Sequence, residues 1–163
     1  MEIEIVKNFC IRKGEPGDIE TMVTFLYHLF ALEKDFASDA DKNKAGLQLL
    51  LADQHAKTIY IAEAAGMVVG MVSAQIVVST SSGGYSILLE DMYVASGFRR
   101  KGIGTKLLEQ VIVWGSGQGA RRVQLVADVT NIEALMFYRQ VGLLTSRMTA
   151  LYGTLDVINK KLT

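Results

Sequence analysis

The 163-residue chain has one cysteine, one proline, two histidines and no net charge, its 17 basic residues matching 17 acidic ones. A lone Cys10 forms no intrachain disulfide and supplies no multi-thiolate zinc site, and His28 and His55 add little ligand capacity. No metal is expected, and a reducing compartment is. Zero net charge argues against a general nucleic-acid binder, whose affinity comes from a basic excess over phosphates. One proline among 15 glycines excludes a Pro-rich or collagen-like polymer. The N-terminal residues 1–7 carry acids where a signal peptide carries bases, so a cytoplasmic protein is expected. Residues 64–89 lack charge altogether, yet their middle is Ser79-Thr-Ser-Ser-Gly-Gly-Tyr-Ser86, a loop between strands and no membrane span.

Half of the residues are hydrophobic and 21% are charged, enough for one core in a single domain spanning 1–163. Helical spacing after Pro16-Gly17-Asp18 predicts a first helix over about 16–34, and a second covers about 39–52. Phe9–Arg12 reads as a short strand. From Thr58 the period becomes two, and Ala65-Gly66 divides a hairpin that continues to Val78. Ser86–Val94 is a further strand, followed by a helix with Ile103, Leu107, Leu108, Val111 and Ile112 on one side, stopped by Gly115, Gly117 and Gly119. A strand over 122–129, a helix over 131–141 and short strands near 143–147 and 149–155 complete the order. Three consecutive strands and then a β-α-β crossover predict a mixed α/β sheet, antiparallel first, with one parallel pair.

Leu88 to Leu108 carries the chemistry: a strand, a basic glycine-containing turn, then a helix. Arg99-Arg-Lys-Gly-Ile-Gly104 stands where unpaired N–H groups and the positive end of a helix dipole meet, which makes an anion site. A Walker loop is excluded because Thr105-Lys106 follows Gly104 in the wrong order, and a dinucleotide fingerprint because Leu107 replaces its third glycine. A basic turn capped by glycine is the plain alternative. Residues 97–122 hold six basic residues against Glu109 alone, which suits a polyphosphate, whereas residues 1–41 hold nine acids against four bases.

Arg99-x-x-Gly102-x-Gly104 after Tyr93-Val94 resembles the acetyl-coenzyme-A motif of the GCN5-related N-acetyltransferases (GNAT). Asn131-Ile-Glu-Ala-Leu-Met-Phe-Tyr-Arg-Gln-Val-Gly142 is similar to that family's Asn-x-x-Ala-x-x-Phe-Tyr-x-x-x-Gly element, with Leu143 where Phe is usual. The resemblance implies a splayed sheet of six or seven strands with about four helices, and acetyl-CoA as cosubstrate. It implies that the backbone of Arg99, Arg100, Lys101, Gly102, Ile103, Gly104 and Thr105 cradles the pyrophosphate, that the main chain of Met92 and Val94 pairs with pantetheine amides, and that Asn131 contacts the pantetheine arm. Capping of the following helix, in a Thr130-x-x-Glu133 box, is the other reading of Asn131.

By the same resemblance Tyr138 is the general acid toward the departing thiolate, a proton transfer suited to a phenol of pKa ~10. Glu90 is the general base for the acceptor ammonium, and Asp91 points to the opposite face if the strand is regular. A core tyrosine and a solvated strand carboxylate are the alternatives. The acidic first segment, with Glu33 and Asp35 as contacts, favours a small cationic primary amine, and Leu88-Leu-Glu-Asp-Met-Tyr-Val also resembles the diamine acetyltransferases. A protein or peptide N-acetyltransferase and an acyl-CoA sensor stay open. The expected partners are the amine and a second copy of the chain, with neither nucleic acid nor membrane.

Overall fold

The computed structural model describes residues 8–32 and 37–162. The chain divides into two compact units, 1–125 and 126–163. In the first, strands β1 (Phe9–Lys13), β2 (Lys57–Ala64), β3 (Met67–Ser79), β4 (Gly84–Val94) and β5 (Ala120–Gln124) form one sheet in the order β1-β2-β3-β4-β5. The first four are antiparallel neighbours, and β5 pairs parallel to β4. Helices α1 (Ile19–Phe30), α2 (Ala40–Ala52) and α3 (Ile103–Gly117) belong to the same unit.

Strand alternation distributes the core over two faces. Ile59, Ile61 and Met71 pack against Met22, Phe25 and Leu26 of α1 and Leu47 of α2, all of them buried. Tyr60 belongs to the other face, where the Lys13 ammonium lies 4.3 Å from its ring centroid, 5.7 Å from that of Trp114 on α3, and 2.6 Å from Thr58 Oγ1. The apolar stripe of α3, Ile103, Leu107, Leu108 and Val111, is buried. Arg12 on β1 ties the start of α1 to the sheet: it donates two hydrogen bonds of 2.9 Å to the Asp18 carboxylate and one of 2.8 Å to Glu63.

Among the described residues the sheet has five strands, not six or seven. The parallel strand ends at Gln124 instead of 129, because its register against β4 covers only Tyr85–Leu88. Beyond it the Asp128 carboxylate accepts the Thr130 N–H at 2.7 Å and turns the chain. In the second unit the predicted terminal strands are absent: residues 143–154 form neither helix nor strand, and Leu155–Leu162 is a helix (α5). Asp156 in its first turn and Lys160 and Lys161 in its last complement the helix dipole. With α4 (Ile132–Gln140), the described residues hold five α-helices, against about four expected.

Gly115 does not stop α3, which runs to Gly117; Gly119, at φ +82°, follows its end. Its role is close packing, since a Cβ at position 115 would overlap the buried Ile87 side chain of β4. Gly115→Val is therefore expected to destabilise the fold by about 1–3 kcal/mol through overpacking, read as a lower melting temperature and denaturant midpoint; an unchanged midpoint would contradict this packing.

Candidate functional site

The turn before α3 has the geometry of an anion cradle. Gly102 caps the helix at φ +81°, Arg100 adopts φ +59°, and no side chain caps the first turn. The N–H groups of Ile103, Gly104 and Thr105 therefore stand at the positive end of the dipole without a side-chain acceptor. Nothing lies within 4 Å of a Cβ added to Gly102, so glycine is required there by the backbone angle and not by crowding. Arg99 turns back toward the strand: its Nε donates to the Val94 carbonyl at 2.9 Å and its guanidinium lies 5.6 Å from the Tyr93 ring centroid. Lys101 donates to the Gly97 carbonyl at 2.8 Å.

Beside this turn the sheet opens. β5 accompanies β4 only as far as Leu88, so Leu89–Val94 has no strand neighbour on that side among the described residues. Met92 and Val94 thus lie on a strand segment with no strand beside it on that edge, where the Val94 carbonyl accepts from Arg99.

On the α1–α2 face lies a cleft of about 400 Å³ lined by residues that include Leu26, Lys42, Lys57, Gln75, Glu90 and Asp91. Both carboxylates line it, which corrects the expectation that Asp91 faces away from Glu90. The reason is a bulge: Val72 pairs with Met92 and Ala74 with Leu89, so Glu90 and Asp91 together oppose Ser73. Glu90 has no hydrogen-bonding or ionic partner among the described residues. Partial burial, and next the neighbouring Asp91 charge, raise its pKa. Burial raises that of Asp91 as well, against the lowering effect of a hydrogen bond from Ser73. Beyond the bulge, Tyr93 returns to this face, with its ring centroid 5.1 Å from that of Phe25 and 6.1 Å from that of His28. His28, itself exposed, thereby packs on the Tyr93 ring.

Asp18, Glu20 and Asp39 of the first segment have structural partners. Asp18 pairs with Arg12, Glu20 with Lys44 at 2.7 Å, and Asp39 accepts the Asp41 and Lys42 N–H groups as the cap of α2. Glu33 and Asp35 lie outside the described residues. In the second unit Asn131 caps α4, its side-chain oxygen accepting the Ala134 N–H at 3.1 Å, so the cap is one residue later than the predicted box. Tyr138 lies on α4 with its ring centroid 5.3 Å from that of Phe137. Ser73 was missed from sequence and Asp91 was placed on the other face on the premise of a regular strand, although Leu88-Leu89 followed by Glu90-Asp91 breaks the period of two.

A model of the acetyltransferase (GNAT) family matches residues 23–143. The chain belongs to the GNAT family. Streptothricin acetyltransferase A of Bacillus subtilis (strain 168) is 33% identical over 78 residues, which is 47% of this chain and 44% of that protein. The chain thus matches under half the length of this curated relative. Among solved structures, the GNAT chain superposes on an aminoglycoside N-acetyltransferase AAC(6')-Iy in complex with CoA at a TM-score of 0.78 and 20% identity, covering 91% of this chain and 95% of that one. A protein of Bacillus halodurans C-125 described as a transcriptional regulator gives a TM-score of 0.79 at 22% identity, covering 90% and 100%. Both likenesses establish the fold. Among the described residues no helix is long and apolar enough to cross a membrane.

Proposed function

We propose that this GNAT chain transfers the acetyl group of acetyl-CoA to a small cationic primary amine by direct attack, without an acyl-enzyme. The observation that carries the reading is the conjunction, within a GNAT fold, of an α3 N-terminus without a side-chain cap and a β4 edge along which β5 does not continue. Bound acetyl-CoA supplies the thioester. The first N–H groups of α3, with Arg99, Arg100 and Lys101, hold its pyrophosphate, and the main chain of Met92 and Val94 holds the pantetheine amides. The side-chain oxygen of Asn131 is engaged as a cap, so its amide nitrogen is the group offered to the pantetheine arm. Glu90 takes the proton from the acceptor ammonium, and the Tyr138 hydroxyl gives one to the thiolate. The cationic preference rests on the two carboxylates in the cleft and is consistent with relatives named for streptothricin and aminoglycosides. A homodimer in the cytoplasm completes the proposal.

Reversing charge in an Arg99→Glu, Arg100→Glu double variant should weaken acetyl-CoA binding about tenfold or more in a calorimetric titration. Gly102→Val should do the same through its backbone angle. Unchanged affinity in both would remove the pyrophosphate assignment. Thiol release with a panel of polyamines, aminoglycosides, amino acids and peptides tests the reaction. Turnover confined to peptides would favour a protein acetyltransferase, and tight coenzyme binding without turnover an acyl-CoA sensor.

A further inference from the structure

The bulge in β4 raises a bonding question that only Ser73 answers. Two residues, Glu90 and Asp91, oppose one residue on β3, so the ladder of carbonyls and amides falls out of step between Leu89 and Met92. Ser73 is fully buried. Its Oγ accepts the Asp91 N–H at 3.1 Å and donates to Asp91 Oδ2, also at 3.1 Å. One hydroxyl thus supplies the acceptor that the bulged amide requires and turns its single proton toward the carboxylate of the same residue. The first bond fixes the backbone of the bulge and the second fixes the side chain.

We propose that Ser73 is a positioning residue that holds Asp91 beside Glu90 on the acceptor face, making the base of this site a coupled carboxylate pair instead of a lone glutamate. The inference rests on the reading of Glu90 as general base, and it adds a second carboxylate and the group that orients it. In a regular strand Asp91 would face α3, so without the bulge the pair would not exist. Two adjacent carboxylates in a partly enclosed cleft resist simultaneous ionisation, and their protons leave in separated steps that belong to the pair. By donating to Asp91, the Ser73 hydroxyl favours the anion there, and that anion in turn holds the proton on Glu90 to higher pH.

The other charged groups lining the cleft are Lys42 from α2 and Lys57 from β2; among its lining residues α1 contributes the uncharged Leu26 and Phe30, and β3 contributes Gln75. Lys42 pairs with Asp39 at 3.4 Å with its side chain 84% exposed, and Lys57 donates to the Leu49 carbonyl at 3.4 Å. Each is engaged away from the pair, Lys42 with Asp39 and Lys57 with the Leu49 carbonyl, and among the described residues neither forms an ion pair with Glu90 or Asp91.

The test is a carboxyl-carbon NMR titration of the full chain, a readout that needs no acceptor. Wild type should show Glu90 and Asp91 titrating in two coupled steps, the upper one above the ordinary carboxylate range. In Ser73→Ala the Asp91 step should move up by about one pH unit and the Glu90 step should move down, because a neutral Asp91 no longer repels the Glu90 charge. Ser73→Thr, which keeps the hydroxyl, should restore the wild-type pattern. If Ser73→Ala does not fold, Asp91→Asn reads the same coupling from the other side and should lower the Glu90 step. Independent, ordinary titrations in wild type, or a Glu90 step unmoved by either variant, would overturn the proposal. Coupled titration in a protein that acetylates no amine would leave the pair standing and remove the general-base reading, so the two failures are distinct.

Discussion

Replacement of Tyr138 by Phe is expected to lower kcat by about 100-fold or more, with acetyl-CoA affinity unchanged within about twofold. The substitution removes one oxygen and leaves the ring on α4 beside Phe137. A change confined to kcat therefore assigns the hydroxyl to a step after binding, the protonation of a leaving thiolate. If proton donation is the lost function, a coenzyme analogue with a better leaving group should recover part of the rate. Loss of coenzyme affinity in parallel with kcat would return Tyr138 to a packing role.

Glu90→Gln is expected to reduce kcat/KM by about 100-fold at neutral pH, and its pH profile carries a sign that identifies the group. A general base works as the anion, so the rate falls as pH drops through its pKa. Partial burial and the Asp91 charge place that fall above the usual carboxylate range in the wild-type protein. Glu90→Gln should abolish this acidic limb. The limb that reports ionisation of the acceptor amine shifts when acceptors of different basicity are compared, whereas the Glu90 limb stays in place; a wild-type acidic limb that follows the acceptor would exclude Glu90 as the base.

The turn before α3 was legible because its determinants are neighbours in sequence: three basic residues, Gly102 and Gly104, and the apolar period that begins at Ile103. The antiparallel strands and the crossover were legible for a related reason, the change of hydrophobic period from 3.6 to two and back. Asp91 was not, because a bulge is a property of two strands; the residue that stabilises it, Ser73, stands 18 positions away. The terminal strands were overread since Leu143-Leu144 and Leu151-Tyr152 are apolar runs too short to carry a period. Charge counting over residues 1–41 does not separate the roles of its acids: Asp18, Glu20 and Asp39 are engaged in pairing and capping, whereas the carboxylates lining the cleft come from β4.

The order of strands along the sheet also sets an order of assembly. β2, β3 and β4 are joined by Ala65-Gly66 and by the short turn 80–83, so their pairings close small loops and form from contacts local in sequence. The parallel β4–β5 pairing closes residues 95–119 and waits for α3 to dock through Gly115 and Ile87. Glu90, Asp91 and Ser73 accordingly belong to the part of the molecule that folds on local information, while the divergence of β4 and β5 is completed by the slower, non-local step. Nascent chains would thus bring Glu90, Asp91 and Ser73 together before β5 joins the sheet beside β4.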